Sequence, residues 1–255
     1  HADRAINKIP PAEQATIKQE VLTNLETLAA GGLAYVTLAH FYPNAIATSA
    51  FPYPERIFDV LARERFPWLW RDVTEGLTDI GRDVVRRMLE LGVCVDLCHT
   101  TPTVREQVYD LAVESGKAHL VLFSHAGAYQ RTGNPYNPFD WEIKWIADHG
   151  GVIGVILSNY ILSNREDLRL GLGPITQTMA HLKEVGGIDV IAIGSDLDGF
   201  SNPPDDIPDI SLIYRLTQRL LIEPFLSEHE AERHAEIRKI LGGNALRVLS
   251  EAWQS

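Results

Sequence analysis

Three apolar runs in this sequence stop on a histidine: LAYVTLAH at His40, VCVDLCH at His99 and LVLFSH at His125. An imidazole at the end of a buried strand can ligate a metal, move a proton or donate to a developing oxyanion. A fourth run, VIAIGSDLDG, ends on charge at Asp196 and Asp198. Side chains alternate along a strand. His99 is therefore expected on the face of Val93, Val95 and Leu97, His125 on that of Val121 and Phe123, and Asp196 on that of Ala192 and Gly194. Histidines on adjacent parallel strands lie about 5 Å apart at the backbone, so both rings can reach one metal at about 2.0–2.1 Å. Asp196 beside such an ion suits a general base or proton shuttle, because the metal lowers the pKa of its water. Asp198 reads as a cap for the next turn. The competing reading is a set of unrelated structural histidines, but four polar residues converging on one barrel end argue for a shared purpose.

The elements that must position these residues alternate between strand and helix. Residues 12–30 read as an amphipathic helix after Pro10-Pro11, with Ile17, Val21, Leu25 and Leu28 on one face and Gly31-Gly32 as its stop. A strand over 33–40 follows, then a Pro- and aromatic-rich stretch to Glu75 with a short helix near 55–64 and Trp68 and Trp70 as packing residues. Helices are expected over 77–92, with Thr78 as N-cap, and from Pro102 to Ser115-Gly116. Beyond His125 come a turn-rich loop, a helix around 138–149, a strand over 151–159, a helix over 174–186 and a strand over 190–199. The tail reads as helices near 209–222 and 228–240, followed by GGNALRVLSEAW over 242–253. Chemistry at strand C-terminal ends suits a (β/α)₈ barrel. A doubly wound sheet would place ligands there too, but no glycine-rich phosphate turn follows a strand.

Other patterns carry less. DLDG lacks the glutamate of a calcium loop, since Ile207 stands at position twelve. His229 and His234 are five apart, about 140° around a helix, and so are not an HExxH pair. His119, His149 and His181 read as structural or exposed. A net charge of −11 without a basic cluster argues against nucleic acid. No run is long and apolar enough to cross a membrane. Cys94 and Cys98 are expected about 13 Å apart along one strand, too far to bridge, and composition favours the cytoplasm. No signal peptide is visible, and a start at His1 without methionine leaves the natural N-terminus open.

The pieces LAYVTLAH, GLTDIGRDVVRRMLELGVCVDLCH, VLFSHAGAY, IAIGSDLDG and ILGGNALRVL occur in that order over roughly residues 33–250. Together they resemble the membrane (renal) dipeptidase family of zinc metallopeptidases, which are amidohydrolase-like TIM barrels. The resemblance implies an α/β, TIM-type (β/α)₈ barrel lacking its first three strands here, and so a single metallohydrolase domain over 1–255, incomplete on its N-terminal side. It implies zinc, two ions per complete site, with His99 and His125 ligating one of them. It places His40 at the scissile carbonyl oxygen, Asp196 at the proton, and a metal-activated hydroxide as nucleophile.

In the family a His-x-Asp pair on the first strand and a bridging glutamate on the third complete the metal site. His1-Ala2-Asp3 spells the first pattern without a preceding strand. Glu13 lies about where an ungapped count from His40 puts the glutamate, although AEQA reads as a first helical turn. Where the family has an arginine for a dipeptide's carboxylate, just before Asn137, this chain has Tyr136; Arg131 is a candidate substitute, and Tyr160 matches a pocket-lining position. The implied function is hydrolysis of an amide bond in a small substrate, a dipeptide or N-acyl amino acid. A degenerate, non-catalytic relative used for binding or assembly is an alternative, and so is a metal-dependent barrel lyase, although no strand-end lysine supports a covalent version. A barrel short of three strands would expose sheet edge and apolar helix faces, which points to further sequence or to a partner, a homo-oligomer among the options.

Overall fold

The computed structural model describes residues 10–41, 44–50, 75–163, 171–200 and 203–254. His1-Ala2-Asp3, the short helix near 55–64 and Trp68 and Trp70 lie outside the described residues. The chain groups into two compact units, one drawn from 1–122 and 249–255, the other from 123–248.

In the first unit, α1 (Pro11–Ala30) starts on prolines, whose fixed φ suits a first helical turn, and stops at Gly31. β1 (Tyr35–Thr37) follows, and α2 (Asp79–Glu90) is capped as its sequence predicts: the Thr78 hydroxyl accepts from the Gly81 amide at 2.9 Å. Ile80, Val84, Val85 and Met88 recur at helical spacing and are buried. Gly81 is needed where α2 meets the preceding loop, since a Cβ there would stand 2.0 Å from the Ile46 carbonyl oxygen. β2 (Cys94–Asp96) is buried on both faces, as a parallel strand under helices must be. α3 (Pro102–Glu114) has Pro102 in its first turn and Thr101 as cap, and Gly116, at φ +68°, ends it. β1 and β2 run parallel, with Val36 opposite Val95 and Thr37 opposite Asp96. β2 is in turn parallel to the start of β3 (Val121–Ala126), Val95 opposite Val121.

The second unit carries the rest of β3, the single turn α4 (Tyr129–Thr132), α5 (Asp140–Asp148) and β4 (Ile153–Val155). After these come another single turn, α6 (Asn159–Leu162), the longer α7 (Gly173–Gly186), and β5 (Ile191–Ile193). α8 (Tyr214–Leu220), α9 (Glu230–Arg238) and α10 (Asn244–Trp253) complete the chain, the end of α10 belonging to the first unit. β3, β4 and β5 are parallel neighbours, Phe123 opposite Ile153 and Ile153 opposite Ile191. Asn244, buried at the start of α10, donates to the Ile188 and Ile191 carbonyls and ties that helix to the entry of β5.

The strands are shorter than the apolar runs that announce them, because β1, β2 and β5 each stop before the polar residue that ends the run. Cys98 consequently lies outside β2, in the turn that follows it. Both cysteines are buried thiols. Burial, reinforced by the charge of Asp96, pushes the Cys94 thiol up to about 12. Native protein near pH 8 is therefore expected to react negligibly with a thiol-specific disulfide reagent, and to reveal both thiols on unfolding. Rapid labelling of the native chain would contradict this placement.

Candidate metal and catalytic site

At the end of β2 the buried carboxylate of Asp96 accepts from the Thr37 hydroxyl of β1 at 2.6 Å and from the Cys98 amide at 3.1 Å. The second contact turns the chain out of the strand. Thr100 closes the turn through its amide and hydroxyl, both on the Leu97 carbonyl. His99 is left at φ +63°, a left-handed conformation that costs an L-residue about 1–3 kcal/mol and persists only where its surroundings impose it. Here they do: the His99 carbonyl accepts from the Ala50 amide at 2.7 Å, and the wholly buried Arg105 donates to the Thr100 carbonyl at 3.0 Å. Strand alternation therefore does not reach His99, which shares no face with Val93 and Val95. The turn instead sets its imidazole against that of His40, with ring centroids 4.3 Å apart, and Phe41 packs edgewise on His40 at 4.2 Å. His99 is buried and His40 exposed. A carboxylate oxygen of Asp96 and the Cys98 sulfur lie within 4.8 Å of each other. A carboxylate oxygen and a thiol sulfur are both donors that fit a divalent transition metal.

In the second unit His125 lies within β3, near its end, half-buried, with Nδ1 2.7 Å from the Ser124 hydroxyl. Such a contact fixes the orientation of the ring, a common support of a ligating histidine. The loop beyond is pinned by Asn137, which accepts from the Gly127 amide at 2.7 Å and donates to Thr132 and to the Ile161 carbonyl. Tyr136 is buried, and its hydroxyl donates to the His125 carbonyl at 3.3 Å. Asp196 stands three residues past β5 at φ +52°, outside the alternation that would have paired it with Ala192 and Gly194. Asp198 is also left-handed, at φ +71°, and the Gly199 amide donates to the Asp196 carbonyl, so this stretch is a tight turn. A Cβ at Gly194 would stand 1.7 Å from the Ser124 carbonyl oxygen and 3.0 Å from the His125 Cα. Only glycine lets the end of β5 come so near the end of β3.

The other expected residues are placed as follows. The Arg131 guanidinium donates to Gln177 of α7 at 2.5 Å, and burial lowers its pKa. Tyr160 is half-buried in α6. Glu13 is exposed in the first turn of α1, where an acidic group complements the helix N-terminus. His229 and His234 are exposed, as their spacing implies. Sequence reasoning missed Asp96; its signal was a charged residue inside the otherwise apolar run VCVDLCH.

Imidazoles and carboxylates carried at the C-terminal ends of parallel strands define an α/β enzyme fold of the TIM type. The chain belongs to the membrane dipeptidase family, peptidase family M19, whose model matches residues 2–255. It is 31% identical over 179 residues to Dipeptidase 3 of Mus musculus, covering 70% of this chain and 34% of that protein. The chain thus spans about a third of the length of the curated relatives it matches. Among solved structures it is similar to a metallo peptidase from Rhodobacter sphaeroides liganded with a phosphinate mimic of the dipeptide L-Ala-D-Ala (TM-score 0.70, 21% identity, 90% of this chain and 59% of that one). It is also similar to the probable dipeptidase PvdM from Pseudomonas aeruginosa (TM-score 0.71, 22% identity, 91% and 66%). These likenesses establish the fold.

Asp96→Ala is expected to cost about 1.5–3 kcal/mol of stability in urea unfolding, the range for hydrogen bonds to a charged group, and Thr37→Val about 1 kcal/mol. An unchanged midpoint for Asp96→Ala would show that the carboxylate does not brace the turn.

Proposed function

We propose that this chain carries the catalytic face of a metal-dependent hydrolase that cleaves the amide bond of a dipeptide or N-acyl amino acid, with zinc as its metal. The observation that carries the reading is the close pair of imidazoles, His40 and His99, at the strand ends of a chain matched by the dipeptidase family from residue 2 to 255. His99 and His125 are assigned as ligands. With the proton on Nδ1 toward Ser124, the lone pair of His125 sits on Nε2, the nitrogen then available to an ion. A zinc ion bound there would polarise the amide carbonyl and lower the pKa of water.

The remaining steps fall to side chains. His40, exposed beside His99, donates to the carbonyl oxygen as charge builds on it. Asp196 takes the proton from the attacking water and returns it to the leaving amine. Its turn, pinned through Gly199, holds the carboxylate while it does so. Tyr160 is assigned to the pocket wall. Tyr136 offers no guanidinium fork to a substrate carboxylate, which shifts the preference toward substrates recognised by other groups. The same residue favours a second reading, a non-catalytic relative that binds the ligand without turning it over.

The test is hydrolysis of L-Ala-L-Ala and of N-acetyl-L-alanine by the full chain supplied with zinc, following released alanine. Turnover is expected to stop with a chelator, and His40→Ala and Asp196→Asn are expected to lower kcat about a hundredfold or more. Zinc binding without product would support the non-catalytic reading. Undiminished turnover in Asp196→Asn would remove that residue from the mechanism.

A further inference from the structure

We propose that a cavity on the outer surface of the second unit, between α4 and the solvent face of α7, is a binding site for a small oxyanion, carboxylate or phosphate. The cavity measures about 540 Å³ and is walled by Arg131, Gln177, His181, Lys183, Glu184 and Phe225. Gln177, His181 and Glu184 lie at i, i+4 and i+7 on α7, opposite the buried Ile175, Met179 and Leu182. The site therefore belongs to the outside of the helix, whereas the proposed chemistry belongs to strand ends.

Charge accounting singles out Arg131. Lys183 is committed to Glu236 at 2.5 Å and to the Phe225 carbonyl at 3.0 Å, and His181 to Asp140 at 2.7 Å. Among the described residues, the acceptor of Arg131 is the neutral Gln177, and its buried Nε has no hydrogen-bond partner. The exposed Glu184 makes no ion pair with it. Burial already lowers the guanidinium's pKa, the direction expected of a cation stripped of water. A guanidinium presents a planar fork of donors that matches a carboxylate or phosphate two-to-two. The volume is that of a small-molecule pocket rather than of one water.

The experiment is calorimetric titration of the full chain with inorganic phosphate and, separately, with acetate, both at ionic strength matched by chloride. Saturable binding of either anion is expected, and identifies which class the cavity prefers. Arg131→Gln should weaken it at least tenfold, while Arg131→Lys, which keeps the charge and loses the fork, should weaken it less. His99→Ala should bind the anion as the parent chain does, so a failure of the metal reading would leave this result intact. Equal affinity in Arg131→Gln and the parent, or no saturable binding of either anion, would overturn the proposal.

Discussion

The carboxylate of Asp96 is the constraint on which the turn after β2 depends. An ionised carboxylate carried into an apolar sheet is costly unless hydrogen bonds replace its water. The Thr37 hydroxyl and the Cys98 amide do so at 2.6 and 3.1 Å. One contact ties β2 to β1 and the other ends β2. Because the strand ends there, the chain turns through Leu97–Thr100, and because it turns, His99 meets His40 instead of continuing along the sheet. The strain of a left-handed histidine is borne by contacts from three directions: Ala50 on its carbonyl, Arg105 on the next one, and Thr100 across the turn.

The second unit reaches the same end by close approach instead of a buried charge. Gly154 and Gly194 both lie where a side chain would strike the Ser124 carbonyl, at 2.1 and 1.7 Å from a built Cβ. The missing side chains bring the end of β5 near the end of β3, and Asn137 then holds the loop after β3 with three hydrogen bonds. An amide satisfied on both its oxygen and its nitrogen is rigid support for a neighbouring histidine. Tyr136 adds to that support from within the core, which explains how a bulky aromatic is accommodated where the family resemblance implies an arginine.

Much of this was legible in the sequence, and the boundary is physical. The helix starts announced themselves, because Thr78 and Pro102 act on backbone geometry within a few residues of themselves. The strands were legible as elements, and their parallel order follows from the helices between them. Their lengths were not, since a hydrogen bond from Asn44 to the Leu38 carbonyl or from Thr100 to that of Leu97 ends an apolar run without changing its composition. For the same reason alternation misplaced His99 and Asp196: both sit in turns with positive φ, which period-two patterning does not describe. Arg131 lay in the right loop, but only three dimensions set its side chain against α7.

The central claim is that the strand-end imidazoles hold a metal, and the most direct measurement is equilibrium dialysis of the purified chain against zinc, followed by metal analysis. A His99→Ala/His125→Ala variant of unchanged circular dichroism serves as the control. Retention of about one zinc per chain, lost in the double variant, is the predicted result. Equal retention by both proteins, or none by either, would contradict the account.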